Sequence, residues 1–166
     1  MSEITNESSI KDDEMVNQVR NAIEHRATWM GLMSREAKKA GADWEAIARK
    51  AVRCTGCIHG KRIAKKMAVE EGMESFAKHF VPELTQRLFE MDIKELSDTE
   101  LRIEFNYCPL VNAWQKLNIS EDIIRTLCDI AMDGDRGIAE ELGLEFELGS
   151  TIAKGGKTCE VRFQTR

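Results

Sequence analysis

From Asp13 onward the chain takes up a helical period. Met15, Val19, Ala22, Ile23, Met30, Met33 and Ala37 recur at three- and four-residue steps, which predicts one helix with a single apolar stripe. Gly41 suits its C-terminal stop. Asp43 suits the N-cap of a second helix carrying Trp44, Ile47, Ala48, Ala51 and Val52. The stretch CTGCIHG is expected to weaken that helix through Gly56 and Gly60, before the period resumes in KRIAKKMAVEEG. A third helical segment runs over about 74–90, with Phe76, Phe80, Leu84 and Leu88 on one face. Pro82 either kinks it or opens a turn.

Then the period changes. MDIKEL and LRIEFNY alternate apolar and polar residues on either side of Ser97-Asp98-Thr99-Glu100, which predicts a β-hairpin with Leu101, Ile103, Phe105 and Tyr107 on one face. A short helix over 110–117 stops at Asn118. Ser120 caps the next, EDIIRTLCDIAM, which buries Ile123, Ile124 and Leu127 with Cys128 or Ile130. MDGDRG breaks it, and IAEELG adds a further turn or two. Two alternating runs follow, LEFELGSTIA and KTCEVRFQT, and Gly155-Gly156 between them is a hairpin signal. The expected fold is therefore α+β: N-terminal helices packed against a small antiparallel sheet of β-β-α-α-β-β order. Residues 1–12 are polar and expected to be a disordered leader, 13–90 a helical region and 91–166 an α+β unit, together one compact domain.

Charge and composition narrow the classes. Net charge is −5 over 166 residues, so no global basic field draws the chain to nucleic acid or an anionic membrane. The basic residues Lys61, Arg62, Lys65 and Lys66 fall at helical spacing without interleaved aromatics and read as a solvated face. No apolar run approaches a membrane span, and the N-terminus lacks the basic and apolar regions of a secretory signal, so the expected location is cytoplasmic. The apolar stripe of the first helix would suit a homodimer.

Five cysteines remain: Cys54, Cys57, Cys108, Cys128 and Cys159. An odd count in such a chain argues for free thiols rather than a disulfide framework. Cys108-Pro109 lies at a strand-to-helix junction, where a thiol serves as nucleophile, metal ligand or buried filler. Cys54 and Cys57, with His59, have the local spacing of a metal half-site or a dithiol, but the chain holds no second pair and no strand precedes them. No cofactor motif is present.

The C-terminal half reads Cys108-Pro109-Leu110, then Trp114, then Leu127-Cys128 followed by Asp133, then Thr151-Ile152-x-x-Gly155-x-x-x-Cys159-x-Val161-x-Phe163. Over about 90–165 this order resembles the L-2-amino-thiazoline-4-carboxylic acid hydrolase family. The resemblance implies ring-opening hydrolysis of a small cyclic carboxylate to a carbamoylated cysteine, without a cofactor. On that reading Cys108 is the nucleophile, Asp133 the general base and Cys159 a catalytic partner thiol. Thr151, Cys128 and Trp114 hold the substrate. Cys54-Thr-Gly-Cys57 lies outside the family pattern. The alternative is a non-enzymatic module that binds a small ligand or a metal through its thiols.

Overall fold

The computed structural model describes residues 3–68 and 71–166. Asp13 caps α1 (Glu14–Lys39), its carboxylate accepting from the Val16 amide, and Asp43 caps α2 (Trp44–Met67) in the same way through Ala46. The third expected helix is two: α3 (Met73–Phe80) and α4 (Glu83–Phe89), with Pro82 as the N-cap of the second, where its missing N–H leaves no bond unmade. The hairpin β1 (Met91–Leu96) and β2 (Glu100–Phe105) forms as expected. Three helices follow, α5 (Pro109–Lys116), α6 (Glu121–Ala131) and α7 (Asp133–Leu142), then β3 (Leu144–Leu148) and β4 (Cys159–Thr165). The fold is α+β. All strand pairs are antiparallel and the sheet order is β1-β2-β4-β3, so the last strand enters between its predecessors.

One sheet face carries Leu101, Ile103, Val161 and Phe163, buried under Phe76 and Ala77 of α3 and Ile138 and Ala139 of α7. The other presents charge, with Arg162 bridging Glu100 and Glu147. A second core gathers Ala27, Val111, Trp114, Ile124, Leu127 and Ile152 around α5 and α6. Phe105, at the end of β2, packs against both cores.

Four expectations change. The stretch through Gly56 and Gly60 is unbroken helix. A Cβ at Gly60 would lie 2.8 Å from Glu141, and one at Gly137 2.5 Å from the Arg53 carbonyl, so the glycines let α2 and α7 meet backbone to backbone. The apolar stripe of α1 is not its core face: Met15 and Met33 are more than 60% exposed, while Val16, Arg20, Ala27, Gly31 and Ser34 are buried. The MDGDRG segment ends α6, with Met132 as its C-cap, as expected, but from Asp133 it is helix and opens α7. The strands β3 and β4 pair, but residues 149–158 between them form a loop with a 3-10 turn at Ile152–Lys154, and Gly155 (φ 82°) ends that turn.

The disordered leader is also corrected for the residues described. Ile4 is 4% exposed in the second core. Asn6 clasps Cys108, its side-chain amide donating to the Cys108 carbonyl at 2.9 Å while its oxygen accepts the Cys108 N–H at 2.9 Å. Ser8, Ser9 and Ile10 all donate to Glu90, which also pairs with buried Arg20 at 2.9 Å. Burial pushes the Glu90 carboxyl up, but the Ser9 and Ser8 hydroxyls and the Ile10 and Ser9 amides outweigh it and hold it at about 2. A polar segment is thus ordered by exact pairing of its polar atoms rather than by apolar burial alone. Met1 and Ser2, the start of the expected leader, lie outside the described residues.

Candidate functional site

Between the two cores lies a cavity of about 470 Å³. Its walls are Met30 of α1, Val52 of α2, Phe80, Phe89, Met91 and Phe105, with Leu110 of α5 and Ala131, Met132 and Ile138 of α6 and α7. Arg26, Thr55 and His59, all exposed, stand where it opens between α1 and α2. Phe89, Phe105, Leu110, Ala131 and Met132 also line a small adjoining apolar pocket of about 50 Å³. The remaining walls of that pocket include Cys108, Cys128, Cys159 and Trp114. The three C-terminal thiols therefore converge in one small apolar pocket that shares five wall residues with the larger cavity.

Each thiol arrives by a different route. Cys108 is the N-cap of α5, with Pro109 at its first position. Burial pushes its thiol up, while the Val111 and Leu110 amides of the first turn pull it down without closing a cap hydrogen bond. Cys128 lies on the inner face of α6 and is pushed up by burial and by Cys108 and Cys159 nearby. Cys159 begins β4; its Sγ accepts the Ile152 N–H at 3.2 Å, and burial raises it to about 12. At neutral pH all three are thiols, not standing thiolates.

Trp114 is fully buried against the thiol pocket, its indole N–H donating to the Ala27 carbonyl at 2.9 Å. Thr151 is 2% exposed and precedes the turn tied to Cys159. Its hydroxyl has no hydrogen-bond partner among the described residues, and it does not line the cavity. Asp133 does not line it either. Its carboxylate receives Arg49 at 3.0 Å and Arg136 at 2.8 Å, and both arginines also hold Asp129. This four-residue ion network sews α2 to α6 and α7.

The carboxyl that does reach the cavity is Asp135. Burial in these apolar walls raises it to about 7. Its own amide and Arg136 oppose the shift, but Arg136 spends its hydrogen bonds on Asp129 and Asp133. A carboxyl that titrates near neutrality can take or give a proton. Its spacing from Met132 and Ile138 sets an acid beside apolar positions, a hint that marks Asp135 but does not by itself tell it from Asp133.

Cys54, Cys57 and His59 do not come together. On continuous α2, Cys54 is exposed, Cys57 faces Glu140 and Glu141 of α7, and His59 turns to the cavity mouth. Among the described residues no group of three His, Cys, Asp or Glu side chains is placed to hold a metal ion. No helix among them is long and apolar enough to cross a membrane.

The family model for L-2-amino-thiazoline-4-carboxylic acid hydrolase matches residues 20–163, and the chain belongs to that family. The match extends well beyond 90–165 and takes in most of α1 and all of α2. No curated protein sequence matches the chain. Among solved structures, the chain is similar to trafficking protein particle complex subunit 3 from Naegleria fowleri, crystallised covalently bound to palmitic acid. The two share 19% identity with a TM-score of 0.57, over 86% of this chain and 94% of that one, a likeness of fold.

Proposed function

We propose that this family member is a hydrolase that opens a small cyclic amidine-type carboxylate such as 2-amino-thiazoline-4-carboxylate, with Cys108 as nucleophile and Asp135 as the proton-transfer group. The observation that carries the reading is the convergence of Cys108, Cys128 and Cys159 in a small apolar pocket that shares five wall residues with the cavity lined by Asp135.

Protonated thiols suit this chemistry. A buried thiol and a neutral amidine share one transferable proton, and passing it to the ring nitrogen creates a thiolate beside an amidinium in a medium of low dielectric. The Val111 and Leu110 amides favour the anion on Cys108 over that on its neighbours, since no paired helix-end amides act on Cys128 or Cys159. The Cys108 sulfur adds to the amidine carbon, and the ring carbon–sulfur bond breaks, its sulfur taking a proton from the adduct nitrogen. Water then adds to the isothiourea carbon while one of its protons passes through ionised Asp135 to the imine nitrogen. The hydroxyl proton of the adduct next passes by Asp135 to the Cys108 sulfur as the carbon–sulfur bond breaks, so Asp135 ends ionised. Cys108 leaves as the free thiol, and the product is a carbamoylated cysteine. Cys128 and Cys159 shape the pocket around Cys108 and keep it dry. Asp133 acts at a distance, through the ion network that seats α7.

The test is turnover of 2-amino-thiazoline-4-carboxylate by the wild type, Cys108→Ser and Cys108→Ala, with intact-protein mass of a slow-turnover mixture. The expected result is loss of turnover by at least ~10³-fold in both variants and, in the wild type, an adduct heavier by one intact substrate. Undiminished turnover by Cys108→Ser would sink the covalent route.

A further inference from the structure

A cavity of about 470 Å³ is large for the compound that gives the family its name. That compound has about nine non-hydrogen atoms, which at interior packing density fill on the order of 150–200 Å³. The surplus walls, from Met30, Val52 and Phe80 to Met91 and Ile138, are apolar, and apolar walls gain nothing from the water that a small polar ligand would leave behind. At the mouth stands Arg26. Unlike Arg49, Arg53 and Arg136, which pair with Glu45, Glu140 and Asp129, it has no hydrogen bond, ion pair or ring contact among the described residues. An unpaired guanidinium is a ready partner for a carboxylate, and two parallel N–H bonds give it geometric preference for one.

We propose that the site is built for a bulkier substrate class: a cyclic carboxylate carrying an apolar substituent, with its carboxylate held by Arg26 and its substituent filling the surplus space. This rests on reading the site as one for cyclic carboxylates, and it assigns Arg26 a recognition role.

Binding calorimetry on the Cys108→Ala protein separates this from the mechanism, because affinity is read without turnover. The probes are 2-amino-thiazoline-4-carboxylate, its 5-phenyl analogue, the carboxamide of that analogue, and decanoate. The phenyl analogue is expected to bind at least tenfold tighter than the parent ring. Arg26→Gln is expected to lose at least tenfold for the phenyl carboxylate and little for its carboxamide, with melting temperature unchanged because Arg26 makes no hydrogen bond, ion pair or ring contact among the described residues. Thr55→Trp, at the exposed mouth, is expected to cost the phenyl analogue more than the parent ring. Parent and phenyl rings binding alike would overturn the size argument. Equal losses for carboxylate and carboxamide would overturn the role of Arg26. Decanoate binding tighter than both rings would overturn the ring class in favour of a plain acyl chain. Loss of the covalent mechanism with the phenyl preference intact would leave this proposal standing.

Discussion

The two sides of α2 are packed in opposite ways. Toward α7 there is no room for a single methyl group: Gly56, Gly60 and Gly137 bring the two backbones into contact. Toward α1 the same helix, through Val52, Thr55 and His59, borders a space that the protein leaves unfilled. The difference shows where the fold spends rigidity. The glycine contact fixes α7, and with it Asp135, as one wall of the cavity. The open side gives access. A site on a rigid wall beside an unfilled space holds its groups in place while leaving room for a ligand.

The sharpest way to break this contrast is to fill the closed side. A Cβ on Gly56 would collide with the Gly134 carbonyl, a backbone atom that has no rotamer to give. Gly56→Ala is therefore expected to cost more stability than the about 1–3 kcal/mol usual for overpacking, read as a fall in the denaturant midpoint. A normal midpoint would mean that α2 and α7 are not pressed together as described.

The next effect is on the thiols. Because burial holds Cys108, Cys128 and Cys159 as thiols, alkylation at pH 7 is expected to reach exposed Cys54 first and the cavity cysteines at least tenfold more slowly. Peptide mapping of the labelled protein checks it, and Cys108 labelled ahead of Cys54 would reveal a thiolate already formed in the resting protein.

Asp135 sharpens the contrast through pH. Its folded value of about 7 lies above the ordinary aspartate value of 3.8, so the folded state holds the proton more tightly than the unfolded chain. The stability it contributes is full below about 3.8 and is lost as pH rises toward about 7. Asp135→Asn is expected to flatten that part of the stability profile in denaturant titrations. If the variant keeps the wild-type slope between pH 4 and 7, the carboxyl does not face apolar walls. In turnover, ionised Asp135 as base predicts a rate that rises through about pH 7 in the wild type.

The smallest effect concerns the N-terminal segment. Glu90, held at about 2, contributes stability that is present above 4.5 and lost as pH falls through about 2. Ser9→Ala, which removes one exposed hydroxyl bond to Glu90 and leaves the Arg20 pair intact, is expected to speed amide hydrogen exchange at Ser9 and Ile10 with little change in the global midpoint. Unaltered exchange there would mean that other contacts hold the segment.

How much of this was legible varied by region. The caps at Asp13 and Asp43, the start of α6 after Ser120 (whose side chain makes no capping bond), the β1–β2 hairpin and the alternation of β4 are local signals, set by a few neighbouring residues, and they survive folding. The family resemblance, rather than spacing, groups Cys108, Cys128 and Cys159, and all three line one small pocket. Periodicity misled where two faces of a helix were both apolar. On α1 the stripe through Met15 and Met33 is regular, but burial follows the small residues Ala27 and Gly31, which let Trp114 approach. Gly56 and Gly60 read as helix weakeners because propensity counts a glycine's lost entropy and not the partner it admits. Asp133 and Asp135 differ by two residues, which on a helix is more than half a turn, and only the packing of α7 decides that the second faces the cavity.

The amino-acid order by itself determined most of the elements and the α+β class, because caps, alternation and turn residues act over a few bonds. It could not determine which face of each long helix is buried, which aspartate meets the cavity, or that a polar N-terminal segment is clasped by Asn6, Arg20 and Glu90. Those depend on contacts between residues some 70 to 100 positions apart, and only the assembled tertiary structure brings them within reach of one another.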